Sequence, residues 1–141
     1  MRLITIDPGT HAGLALWDDG VLRTAADVAA AAVAGAVAAW APDRVVVEDQ
    51  RVYPGSPVSP ASILRLAKIA QGHVSLVPPS IVEWLERGKW GGSAPKRVLH
   101  GRALAFLHKD EALLWKGLRE DARDAVCIGL VVLGRAQRGL Q

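Results

Sequence analysis

Four carboxylates stand where a folded chain has little structural need of them. Asp7 closes the apolar run "LITI" and precedes Pro-Gly. Glu48 closes the run "RVVV". Asp121 and Asp124, in "DARDA", are spaced i, i+3, so they share one face of a helix's first turn. That face turns apolar straight afterwards, at Val126, Ile128, Val131 and Val132, which sets the two acids where the helix meets the protein. Each has an ordinary explanation by itself. Asp before Pro-Gly is a turn residue, Glu48-Asp49 a solvated strand end, and the aspartate pair a complement to the helix macrodipole. Together they ask for more. Like charges brought to adjoining strand ends repel, and a buried unpaired carboxylate is costly. A divalent cation removes that cost. Oxygen ligands without cysteine point to a hard ion, Mg²⁺ or Mn²⁺.

The elements that must position these acids can be read in outline. "RLITID" is a β-rich run, "AGLALW" a second strand, and "DDG" the turn that returns the chain into "VLRTA". A helix is expected from about Asp27 to Trp40, ended by Pro42. "RVVVED" reads as a strand buried on both faces. "RVYPGSPVSP" is a loop. "ASILRLAKIAQG" is helical, with Ser62, Arg65, Lys68 and Gln71 forming one polar stripe. "VSLV" reads as a short strand and "PPSIVEWLERG" as the start of a helix. After the break "KWGGS", "APKRVLHGRALAFLHK" opens another helix, with Ser93 as its cap and Pro95 in its first turn. The last helix starts near Glu120. Strands followed by alternating helices and strands make an α/β domain, and 141 residues fit a single domain, 1–141.

Composition narrows the class. Half of the residues are hydrophobic and 22% are charged, which excludes a disordered chain. The apolar runs are too short or interrupted to span a bilayer, and no signal-peptide pattern opens the sequence. The single cysteine, Cys127, excludes a disulfide framework and a cysteine-based zinc cluster and reads as a small buried apolar residue. A cytoplasmic setting without membrane contact is expected. The net charge of +3 is unevenly spread. No acid lies between Gln50 and Val82, where Arg51, Arg65 and Lys68 stand, nor between Gly88 and Lys109, which hold Lys89, Lys96, Arg97 and Arg102 between them. Carboxylates set in basic surroundings suit a polyanionic partner. A solvated charged surface would read the same way.

Three stretches, "ITIDPGTHAG", "APDRVVVEDQ" and "DARDAVCIGL", resemble in this order the motifs of RuvC-type Holliday junction resolvases. Asp-Pro-Gly ends that family's first strand, a Glu ends a later strand, and Asp-x-x-Asp-Ala opens a C-terminal helix. The resemblance runs from Leu3 to about Leu133. It implies the RNase H-like fold, a five-stranded mixed β-sheet flanked by α-helices. It implies a homodimer that cuts four-way DNA junctions by paired nicks, leaving 5′-phosphate and 3′-hydroxyl ends. Asp7, Glu48, Asp121 and Asp124 would hold two Mg²⁺ ions, with Mn²⁺ able to substitute, and no small-molecule cofactor is implied. Lys96 would face the phosphate.

The chain departs from the family by being short, closer to compact phage or mobile-element relatives. The aromatic expected soon after the catalytic Glu stands further along, at Tyr53, among prolines. Arg51 or Tyr53 is then the candidate wedge at the junction. Arg65, Lys68, Lys89, Lys96, Arg97 and Arg102 would track phosphates. Trp90, in the flexible, basic "GKWGGS", could stack on a base or sugar. His11, His100 and His108 have no partners at metal-ligand spacing and read as solvent-facing. Two other enzyme classes share parts of the pattern. An RNase H-fold nuclease of the YqgF type would act on RNA. A nucleotide-binding ATPase or kinase would use the loop around Gly9 and Gly13 for phosphates.

Overall fold

The computed structural model describes residues 1–50, 55, 57–136 and 140. In chain order the elements are β1 (Arg2–Asp7), β2 (His11–Asp18), β3 (Val21–Ala29), α1 (Ala30–Ala39), β4 (Arg44–Asp49), α2 (Pro60–His73), β5 (Val82–Glu86), α3 (Arg87–Trp90), α4 (Lys96–Ala103), α5 (Lys109–Lys116) and α6 (Glu120–Val132). The strands form one mixed sheet in the order β3-β2-β1-β4-β5. β1 pairs antiparallel with β2 and parallel with β4, β2 antiparallel with β3, and β4 parallel with β5. The β2–β3 turn is tight because Asp19 and Gly20 both take positive φ, at 48° and 77°.

Alternation along the strands divides the core in two. Ile4, Ile6, Leu14, Val45 and Val47 pack with Val33 of α1 and Ala70 of α2 on one face. Leu3, Ala15, Trp17 and Val46 pack with Trp90, Leu99, Trp115 and the apolar side of α6 on the other. The second face positions the acids, and α6 is set on it by two glycines. A Cβ on Gly13 would meet the backbone carbonyl oxygen of Asp121 at 1.8 Å, and one on Gly129 would meet the Trp17 indole at 2.2 Å. Between them the Thr5 hydroxyl donates to the Ala125 carbonyl at 2.6 Å and accepts from the Trp17 indole N–H at 3.2 Å. Both hydrogen bonds are buried and link β1, β2 and α6. At the far side, buried Glu111 of α5 accepts from the Leu22 and His108 amides and from Arg135, which together outweigh its burial and hold its pKa down to about 2.

Four expectations change. β3 continues to Ala29, so Asp27 lies in a strand, opposite Gly13, and the helix starts at Ala30. The "VSLV" segment forms turns; the fifth strand is "VEWLE" instead. That segment alternates, with Val82 and Trp84 packed on the α1–α2 face and Leu85 on the other, which a helix could not do. The long helix expected after "KWGGS" is two helices, α4 and α5, joined by a 3₁₀ turn at Leu104–Phe106. α4 takes Pro95, not Ser93, as its N-cap.

Because α6 lies so close to the sheet, Gly129→Ala must displace the Trp17 ring. It is expected to cost about 1–3 kcal/mol, read as a lower denaturant midpoint with an unchanged slope.

Candidate active site

The site follows from strand register. Thr5 faces α6, so Asp7, two residues on, faces it too. Val46 lies on the same face, and so does Glu48. Ile6 pairs with Val47, so Asp7 and Glu48 end two neighbouring parallel strands side by side. On the other flank Asp7 pairs with Gly13, and Gly13 with Asp27. Glu48, Asp7, Gly13 and Asp27 thus form a row across four strands, with the first turn of α6 directly over Gly13. Asp27 caps that turn from the sheet, its Oδ1 accepting from the Ala122 amide at 2.8 Å.

Asp124 is 1% exposed and fully engaged. Its Oδ2 takes the Lys96 ammonium at 2.6 Å and its Oδ1 the His100 Nε2 at 2.7 Å. Lys96 also reaches Glu120 at 3.1 Å. Burial opposes the charges of Asp124 and Lys96, but their mutual contacts prevail. The aspartate is held below, and the lysine above, its ordinary range. His100 is fixed by an edge-on contact with Trp115, ring centres 5.6 Å apart.

The other three acids lack such partners. Burial, then the charges of Glu48 and Asp124, push the Asp7 carboxyl up to about 8. Burial also raises Glu48, although Arg87 pulls the other way, and it raises Asp121, with Asp27 adding to the shift. Glu48 is 9% exposed, and its Oε2 has no hydrogen-bond partner. The Trp90 indole N–H stabilises the Glu48 charge, yet it too is without a hydrogen bond of normal geometry. Among the described residues no three acid, His or Cys groups stand at ligand distance round one point, so this is an open acidic cluster rather than a closed shell. Its chemistry fits a hard divalent cation all the same. The donors are oxygens, one is buried and unpartnered, and the local charge favours protons where a metal could replace them.

No family model and no curated protein matches the chain. Solved structures do. RuvC from Thermus thermophilus in complex with a Holliday junction substrate is 20% identical and superposes with a TM-score of 0.65, covering 97% of this chain and 95% of that one. A second Thermus thermophilus RuvC structure, also 20% identical, gives a TM-score of 0.51 over 97% and 96% of the two chains. This chain has the RuvC fold. The five-stranded mixed sheet flanked by helices is that RNase H-like architecture.

On this fold Glu48, Asp121, Asp124 and Lys96 all lie near enough to Asp7 for their charges to act on it. Arg65, Lys68, Lys89 and Arg97 are exposed, and Arg102 is tied to the Leu140 carbonyl at 2.9 Å. Trp90 corrects the reading of a base-stacking residue. It is 0% exposed and belongs to the core cluster that holds Leu99, Trp115 and α6. His100 corrects another, since it faces Asp124 and not solvent. Arg51 and Tyr53 lie outside the described residues. Residues that the sequence reading missed also gather here. His73 of α2 contacts the Gly9 carbonyl at 3.1 Å and so fixes the turn after Asp7. Arg119 and Arg123 join Lys96, Arg97 and His100 around a cavity of about 650 Å³ beside Asp124. The i, i+4 spacing of Arg119 and Arg123 was the available signal.

A carboxyl whose pKa is raised on folding binds protons more tightly in the folded chain, so stability falls as pH rises from about 4 to about 8. In EDTA the melting temperature should therefore drop across this range. Asp7→Asn should reduce the drop. At pH 8, Mg²⁺ should restore the wild type but not the variant. A melting temperature that ignores Mg²⁺ in both proteins would contradict the site.

Proposed function

We propose that the chain is a metal-dependent, structure-selective endodeoxyribonuclease that resolves four-way DNA junctions. The observation that carries this reading is the gathering of Asp7, Glu48, Asp121 and Asp124 on one face of a RuvC-type sheet. The similar Thermus protein is bound to a Holliday junction substrate, which supports the choice of DNA partner. The kinase-like alternative loses its main support at Gly13. A phosphate loop would leave that glycine open, but α6 packs against it.

In this reading Asp7 and Glu48 from the strand ends, with Asp121 and Asp124 from α6, hold two Mg²⁺ ions. A hard divalent ion held by these carboxylates would supply water activation and stabilisation of a leaving 3′-oxygen, the chemistry that yields 5′-phosphate and 3′-hydroxyl ends. The protein's own groups orient and screen. His100 grips Oδ1 of Asp124 and fixes the plane of that carboxylate. Lys96 sits on Oδ2 and Glu120 and offers its third ammonium proton to a phosphate oxygen. Gly13 and Thr5 keep α6 in register, so that its two aspartates reach the strand ends. The whole chain acts as one nuclease domain in the cytoplasm of a bacterial or phage-infected cell. Two copies form a homodimer, each nicking one of two opposed strands. Arg65, Lys68, Lys89 and Arg97 track the junction arms.

The test is a synthetic four-way junction set beside duplex, single-strand and RNA–DNA hybrid substrates, all with Mg²⁺. The junction should be nicked in preference. Asp7→Asn should still bind it while nicking falls on the order of 100-fold or more. Nicking by Asp7→Asn near the wild-type rate would sink the assignment. Preferential cutting of the hybrid would turn the reading towards an RNA substrate.

A further inference from the structure

Most of the partly buried cations near the acidic cluster are occupied. Lys96 is held by Asp124 and Glu120, and Arg123 by the Trp115 carbonyl and ring. Arg87 is different. It is the first residue of α3, directly after β5, and its guanidinium lies over the Trp90 ring at 4.7 Å. Among the described residues that guanidinium makes no hydrogen bond and no ion pair. Yet it is near enough to Glu48 for its charge to act on that carboxylate.

Arg87 and Glu48 line the same cavity, about 900 Å³ in volume. Ile63 and Leu66 of α2 form part of its wall, and Gly88 and Gly92 bring backbone to it without side chains. Its lining therefore combines apolar surface, the acids Glu48, Asp49 and Glu86, and one arginine, whose guanidinium makes no hydrogen bond among the described residues. A planar guanidinium stacked on an aromatic ring keeps its edge free for two parallel hydrogen bonds, the geometry that suits a phosphate. Trp90 is a rigid platform for it, being buried and tied through its carbonyl to the Leu140 amide at 3.1 Å. Gly91 keeps the place open, since a Cβ there would stand 3.0 Å from Leu99 and 3.6 Å from the Arg87 guanidinium carbon.

We propose that Arg87 is a substrate-binding residue that takes a backbone phosphate of the DNA strand lying against Glu48. The inference rests on the nuclease reading. A phosphodiester brought to four carboxylates meets repulsion, and Lys96, with two of its three N–H groups turned to Asp124 and Glu120, offsets only part of it. Arg87 supplies the missing charge on the β4–β5 flank.

Junction binding in EDTA, followed by fluorescence anisotropy across a salt series, tests it. Arg87→Met keeps the hydrophobic cover on Trp90 and removes the charge. It should weaken binding about tenfold near 0.1 M salt and lower the slope of log affinity against log salt by about one. Arg87→Lys should keep the wild-type slope, because the charge remains, and bind with intermediate affinity, because the fork is lost. Both should melt close to the wild type. Wild-type affinity and slope in Arg87→Met would overturn the proposal. So would a loss of binding that follows a loss of melting temperature in both variants, since Arg87 would then be only a packing residue. A wild type that cuts junctions while Arg87→Met binds normally leaves the nuclease reading intact and removes Arg87 alone. A wild type that binds no DNA overturns both.

Discussion

The close approach of α6 to the sheet is the constraint on which the site depends. Gly13 and Gly129 leave no room for a side chain, and the Asp121 carbonyl and the Trp17 indole occupy the space. Thr5 then fixes the axial position by bonding the Ala125 carbonyl. A shift of one residue would carry Asp121 and Asp124 round the helix by about 100° and away from Asp7. Sterics at two glycines and one buried hydroxyl therefore convert a sequence spacing of i, i+3 into a spatial cluster with acids more than 70 residues distant. Asp27 adds a cap from the fourth strand of the row, so the sheet holds α6 at its start as well as along its length.

That geometry brings an electrostatic cost. Four carboxylates share a face on which Asp124 alone is neutralised, by Lys96 and His100. Asp7, Glu48 and Asp121 all have raised pKa values, chiefly because burial disfavours their charge. Elsewhere the fold treats a buried acid differently. Glu111 receives two amides and an arginine, and its charge is stabilised. The contrast separates an acid that joins elements from acids left available. Lys96 and Arg87 both act on the cluster, one bonded to Asp124 and the other held over an aromatic ring.

The acids were legible because strand ends and helix starts are local features. Alternation in "RLITID" and "RVVVED" sets which face Asp7 and Glu48 share once the strands are parallel neighbours. The five-stranded α/β architecture was legible through the order of these motifs. Other features depended on distant partners. Asp27 reads as a helix start until its pairing with Gly13 is seen, and His100 reads as a surface residue until Asp124 is placed 24 positions later. Trp90 sits among glycines and basic residues, a composition typical of a mobile loop, but its ring is buried in the core with Leu99 and Trp115. In "VEWLE" two glutamates at an edge strand obscure an alternation that only packing against both faces makes plain.

The central claim is that α6 and the ends of β1 and β4 together form a divalent-cation site. Diffraction from crystals soaked in Mn²⁺, with data collected for its anomalous signal, tests this most directly. The account predicts an anomalous peak within ligand distance of Asp7 and at least one of Glu48, Asp121 and Asp124. Crystals that bind Mn²⁺ only elsewhere on the surface, with Asp7 free of metal, would contradict it.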